Sequence, residues 1–270
     1  MRSTNLREVA SRANSLLKVF RRALAEGTTP QGWLAVEGPF LVEEALNAAP
    51  QVATHSVLVA SGAAAKFSAL LDRLPAEAEL TQVPDRLFES VAQTQSPQGI
   101  AALVELPVHT LEQVVAAPRP LLVVACRLQD PGNLGTMMRT ALAFSASAFL
   151  TLQETVSPFN PKAVRSSAGA IFRLPLICGL DPKEALPFLS IRVRIVAADR
   201  DSPASLAQAD LRGPMAILVG REASGFPEEI ARYASQLLSI PIRKEVDSLN
   251  AATAASIFLY EAARQRGFRY

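Results

Sequence analysis

Leu238-Ser239-Ile240-Pro241-Ile242, then Val246-Asp247-Ser248-Leu249-Asn250, then the apolar run Ala251 to Ala263 stand in that order near the C-terminus. The first segment reads as a short buried strand, the second as a polar loop, and the third as a helix. Ser248 or Asn250 is placed to cap that helix, because an N-cap needs a side-chain oxygen that accepts from the first free backbone N–H groups. Two polar side chains within three residues of a helix N-terminus suit a bound ligand equally well. Cap and ligand contact therefore both stand open at this point.

Upstream, two further loops follow the same plan. Ala216–Val219 reads as a buried strand and runs into Gly220-Arg221-Glu222-Ala223-Ser224-Gly225-Phe226-Pro227. Leu121-Leu122-Val123-Val124-Ala125-Cys126 is a continuous apolar run, as expected of a strand covered on both faces. Directly after it comes Asp130-Pro131-Gly132-Asn133-Leu134-Gly135-Thr136-Met137-Met138-Arg139-Thr140-Ala141, a tight turn into a helix. Strands are also expected at 148–152, 174–177 and 194–197. In open α/β sheets, ligands settle at the carboxyl ends of strands, which is where loops 130–139, 220–227 and 246–250 would lie. Across these loops Arg139 and Glu222 are the charged side chains placed for chemistry. The three-glycine dinucleotide fingerprint is missing, which argues against an oxidoreductase. No Ser-His-Asp set, P-loop lysine or paired carboxylates are present either.

The first half alternates strands (33–36, 55–60, 79–83, 100–105) with helices (40–48, 64–74, 85–92), the pattern of a small α/β layer domain. Residues 1–24 carry Arg2, Arg7, Arg12, Lys18, Arg21 and Arg22 against Glu8, with apolar residues at roughly helical spacing. This reads as one amphipathic basic helix, a solvated face or a contact for RNA phosphates. Pro107 to Pro120, with three prolines, reads as a linker, with a helix expected within it over 111–117. The domains are thus expected at 1–106 and 120–270, joined by 107–119.

Composition narrows the classes. At 270 residues and 49% hydrophobic, the chain can fill two cores, and its net charge of +2 excludes a bulk polycation. Cys126 and Cys178 lie in apolar segments and are expected as buried free thiols in a reducing compartment. With two cysteines and two isolated histidines, His55 and His109, no metal site is expected. No secretory leader or bilayer-spanning run is apparent, so a cytoplasmic protein is expected.

Three motifs together resemble the SpoU (TrmH-like) family of RNA ribose methyltransferases, within the knotted SPOUT class. They are Asn133-x-Gly135-x-x-x-Arg139-Thr140-Ala141, then Leu218-Val219-Gly220-x-Glu222-x-x-Gly225-x-Pro227, then Ile240-Pro241-Ile242 with Ser248-Leu249-Asn250. The segment Pro158 to Gly169 is similar to a further stretch of that family. In the first half, Val36-Glu37-Gly38 with Leu41 to Ala45, and Ser96 to Ala102, resemble the L30e-like substrate-binding domain attached to many members.

The resemblance implies an α/β fold with a parallel sheet and a deep C-terminal trefoil knot, behind a small L30e-like domain. It implies a cytoplasmic homodimer that uses S-adenosylmethionine to methylate ribose 2′-oxygens of structured RNA, ribosomal more than transfer RNA. A catalytically inactive RNA-binding relative is the alternative. By the same resemblance Val219, Gly220, Ile240, Leu249 and Asn250 contact the cofactor, and Arg139 is the catalytic arginine, with Asn133, Glu222, Ser248 and Asn250 around it. Arg7, Arg12, Arg21, Arg22, Lys162 and Arg165 are the expected RNA contacts.

Overall fold

A computed structural model describes residues 6–220, 226–243 and 245–268, which fall into two compact units. The first comprises residues 1–107 with 159–165, and the second 108–158 with 166–270.

The first unit is built on a five-stranded sheet in the order β1-β4-β3-β5-β2. Its strands are β1 (Leu6–Glu8), β2 (Leu34–Glu37), β3 (Ala53–Ala60), β4 (Glu79–Val83) and β5 (Ile100–Glu105). β3 runs parallel to β4, and β5 antiparallel to both β2 and β3. Leu17, Phe20, Ala23 and Leu24 of the Ser15–Glu26 helix pack on Leu58, Ala101 and Leu103 of the sheet.

The single N-terminal helix expected from the sequence is corrected here. Leu6-Arg7-Glu8 instead forms edge strand β1, parallel to β4. The helix begins only at Ser15, where Asn14 Oδ1 accepts from the Leu16 N–H at 2.8 Å. It ends at Gly27, whose φ of +102° is open to glycine at little cost. A Cβ there would also stand 2.0 Å from the carbonyl oxygen of Phe159. The expected helix over 64–74 is likewise two short pieces, Ser61–Ala64 and Ser68–Leu71.

The second unit holds an all-parallel six-stranded sheet in the order β11-β9-β10-β6-β7-β8. These strands are β6 (Leu121–Ala125), β7 (Ala148–Leu152), β8 (Leu176–Leu180), β9 (Arg194–Ala198), β10 (Met215–Val219) and β11 (Gln236–Leu238). β6 and β10, which are wholly apolar, and β7, apolar but for Thr151, are fully buried, as a sheet covered on both faces requires. On one face Val114, Ala185, Leu186, Leu189 and Ile230 pack against Leu122, Leu150 and Leu218. The helices Pro131–Ala143 and Ala251–Gln265 pack on each other, the latter also against β9 and β10.

The boundary of β11 departs from expectation. β11 stops at Leu238, so Ile240-Pro241-Ile242 lies beyond the strand. Residues 108–119 belong to the second unit, where the Leu111–Val115 helix is started by a Thr110/Gln113 capping box and buries Val114 in the core.

Candidate active site

A cavity of about 480 Å³ opens at the carboxyl ends of β9, β10 and β11. β10 supplies Val219 and, just past its end, Gly220. β11 supplies Leu238, and the extended chain after it brings in Ile240 and Ile242. Ser248 and Leu249 close one side, and Ala251, Ala254 and Phe258 of the C-terminal helix form a wall. Asp199, Arg200 and Asp201, directly after β9, form a charged rim. Sequence reading passed over this last wall. Three charged residues in a row look like a solvated turn, and no glycine marks the loop.

The expected cofactor contacts thus divide. Val219, Gly220, Ile240 and Leu249 line the cavity together with Ser248, whereas Asn250 is not among the lining residues. At Gly220 a Cβ would come within 2.6 Å of the Phe226 ring, so a side chain there would require that ring to move. Glu222, in the second loop, lies outside the described residues.

Asn250, not Ser248, is the N-cap of the C-terminal helix. Its Oδ1 accepts from the N–H groups of Ala252 (2.9 Å) and Thr253 (3.2 Å). That leaves its amide nitrogen free to donate to Asn133 Oδ1 at 2.9 Å. Asn133 sits in the first turn of the Pro131–Ala143 helix, whose cap Asp130 accepts from the Asn133 N–H at 2.8 Å. One hydrogen bond therefore joins the first sequence motif to the third across 117 positions. Farther along, Ser256 Oγ lies 3.2 Å from Thr140 Oγ1. The two contacts run in the same direction along both helices, so these helices are parallel with their N-termini side by side. Their partial positive charges add at that end, a setting that favours an anion.

Arg139 projects from this pair as an exposed side chain. It is six residues beyond Asn133, about 9 Å along the helix axis. Among the described residues no hydrogen bond or ion pair engages its guanidinium.

The remaining candidates belong to the first unit. Lys162 and Arg165, on the Pro161–Ser166 helix, are exposed. Arg7 and Arg12 are exposed too, but Arg21 donates to the Ser90 carbonyl at 3.1 Å and Arg22 pairs with Glu26 at 2.8 Å. Among the described residues, no group of three or more His, Cys, Asp or Glu side chains could hold a metal ion. No described helix is long and apolar enough to cross a membrane.

Comparison with known proteins identifies the family. Residues 120–260 match the SpoU rRNA Methylase family, and residues 22–102 match the MRM3-like substrate binding domain. The 23S rRNA (uridine(2479)-2′-O)-methyltransferase of Streptomyces viridochromogenes is 30% identical, with 70% of this chain and 68% of that protein aligned. The 23S rRNA (guanosine(2553)-2′-O)-methyltransferase RlmP of Bacillus subtilis is 28% identical over 94% of this chain and 98% of its own. The crystal structure of an AdoMet-bound rRNA methyltransferase from Sinorhizobium meliloti superposes with a TM-score of 0.83 at 27% identity, covering 96% of this chain and 98% of that one. On the family match across its second unit, this chain belongs to the SpoU rRNA methylase family.

Proposed function

We propose that this protein is an S-adenosylmethionine-dependent 2′-O-ribose methyltransferase of ribosomal RNA. The observation that carries the reading is the cavity at the ends of β9, β10 and β11, flanked by the Asn133–Asn250 bond to the helix that bears Arg139. The names of the Streptomyces and Bacillus relatives favour ribosomal over transfer RNA. They also weigh against an inactive RNA-binding relative.

The cavity suits the cofactor. Its volume is that of a small-molecule site, and such sites pair apolar walls with a few placed polar groups. Ile240, Ile242, Leu249 and Phe258 would hold the flat, weakly polar part of the molecule. Gly220 lets the backbone approach closely, and Ser248 meets the polar part. When bound, the cofactor supplies an electrophilic methyl group to an attacking ribose 2′-oxygen.

The chain's own task is then to hold RNA in line and to favour charge on that oxygen. Positioning alone removes a large part of such a barrier. A guanidinium stays protonated in almost any site, so Arg139 acts as a cation and not as a base. It grips the phosphate next to the target ribose and stabilises the negative charge that develops on the 2′-oxygen. Asn133 and Asn250 hold the two helix N-termini in register beneath it. Glu222 is assigned to fixing Arg139 or a subunit contact.

The domain roles assigned are an L30e-like substrate-binding domain at 1–106 and a methyltransferase domain at 120–270, to whose core the 108–119 segment adds Val114. The C-terminal knot, a cytoplasmic location and a homodimer belong to the same reading. Phe144, Tyr260 and Phe268 form an aromatic cluster, with ring centroids 5.8 and 5.7 Å apart. Tyr260 in that cluster is 48% exposed, which suits a subunit contact.

Arg139→Ala tests the mechanism. It is expected to abolish methyl incorporation from radiolabelled cofactor into ribosomal RNA while calorimetric cofactor binding persists. Full activity in that variant removes Arg139 from the chemistry.

A further inference from the structure

Asp199-Arg200-Asp201 does more than form the rim of the cavity. The Asp199 carboxylate accepts from the Asp201 N–H at 3.0 Å and folds the segment into a tight turn. Asp201 then takes a two-pronged grip on the Arg200 guanidinium, from Nε at 3.0 Å and Nη2 at 3.3 Å. A fork held on two nitrogens has its remaining donor direction fixed. That donor, Nη1, reaches 3.0 Å to the main-chain carbonyl of Asp247.

Asp247 immediately precedes Ser248 and Leu249, the two loop residues that line the cavity. On their other side stands Asn250, fixed by its capping bonds and by Asn133. The lining pair is therefore pinned at both flanks, by Arg200 before it and by the asparagine bridge after it. The surrounding loop is otherwise exposed, with residues 245–248 all open to solvent. An exposed Arg–Asp pair adds little to stability, so the effect of this one lies in orientation.

We propose that Arg200 is a positioning residue for cofactor binding. It acts through the Asp247 carbonyl to hold Ser248 and Leu249 in their ligand-ready arrangement. The inference rests on the cofactor reading above and deepens it. An unpinned loop must be ordered at the moment of binding, and that cost is taken from the affinity.

The test is calorimetric titration of the full-length protein with S-adenosylmethionine, alongside steady-state kinetics. Arg200→Ala should weaken the dissociation constant about tenfold, the size of effect expected when one ordering step is moved into binding. KM for the cofactor should rise in parallel, while kcat at saturating cofactor and the thermal midpoint stay near wild type. Arg200→Lys, which keeps the charge but loses the fork, should fall between the two. Wild-type affinity in Arg200→Ala overturns the proposal, as does a loss of kcat with unchanged KM. Failure of the wild-type protein itself to bind the cofactor overturns instead the reading on which the proposal stands.

Discussion

At the scale of single residues, burial decides what the two cysteines can do. Cys126 is buried just past β6, and Cys178 is only partly buried within β8, a correction to the expectation of two buried thiols. Loss of hydration pushes the Cys126 thiol up to about 11 and the Cys178 thiol up to about 12. The fold therefore favours the neutral thiol. Their contribution to stability is complete below the unfolded pKa near 9 and is lost as pH rises toward 11 and 12. Two outcomes follow: little alkylation by iodoacetamide at pH 8 without denaturant, and a falling thermal midpoint between pH 9 and 11. Rapid labelling of both thiols in the folded protein at pH 8 would contradict this. Their chemistry was legible, since both sit in apolar runs, but other residues gave no such signal. Arg127 (φ 54°) and Glu154 (φ 65°) adopt left-handed backbone, uncommon for residues with a Cβ, and pair at 3.0 Å. Nothing in a charged residue's neighbours announces that conformation. Both residues stand just beyond the ends of adjacent strands, β6 and β7.

At the scale of elements, the longer buried strands are legible in the sequence and exposed or short pieces are not. The spans 79–83, 100–105 and 148–152 coincide with β4, β5 and β7, because a continuous or alternating apolar pattern survives any tertiary context. β1 leaves no mark in the sequence, because three exposed residues carry no period of their own. β11 ends earlier than the apolar pattern suggests, because Ile240 and Ile242 are apolar for the sake of the cavity, not for a sheet. The asparagine bridge was beyond reach in a different way. Each residue could be named, but a bond across 117 positions exists only once two helices lie side by side. That bond yields a measurable coupling. Asn250→Ala removes a helix cap and should cost about 1 kcal/mol, with the bridge adding to the loss. Asn133→Ala removes the bridge from its other side. In a double-mutant cycle read by urea denaturation, the pair should show a coupling of roughly 0.5 kcal/mol or more. Additive losses would mean that the 2.9 Å contact contributes nothing to holding the helices together.

For the whole molecule, a net charge of +2 over 270 residues means that affinity for a polyanion has to come from local placement of cations. The structure separates the basic residues of the first unit by what they already hold. Arg21 is committed to the Ser90 carbonyl and Arg22 to Glu26, whereas Arg7 and Arg12 stand exposed. A cation that must first leave a partner gains less from a phosphate than one that is only hydrated. Binding of a ribosomal RNA fragment should accordingly weaken in Arg7→Ala and Arg12→Ala by similar amounts for all sequences. The slope of log K against log salt should also become shallower by about 1 in each. Arg22→Ala should leave that slope nearly unchanged, since its charge is already offset four residues away. Arg21→Ala should act on stability instead, by leaving the Ser90 carbonyl without its side-chain donor. The comparison is made by filter binding across a salt series for the four variants. Equal slope changes in all four would show that RNA is drawn by the overall field of the basic N-terminal region. A change confined to Arg7 and Arg12 would place the phosphates against the strand β1 edge and the turn that follows it.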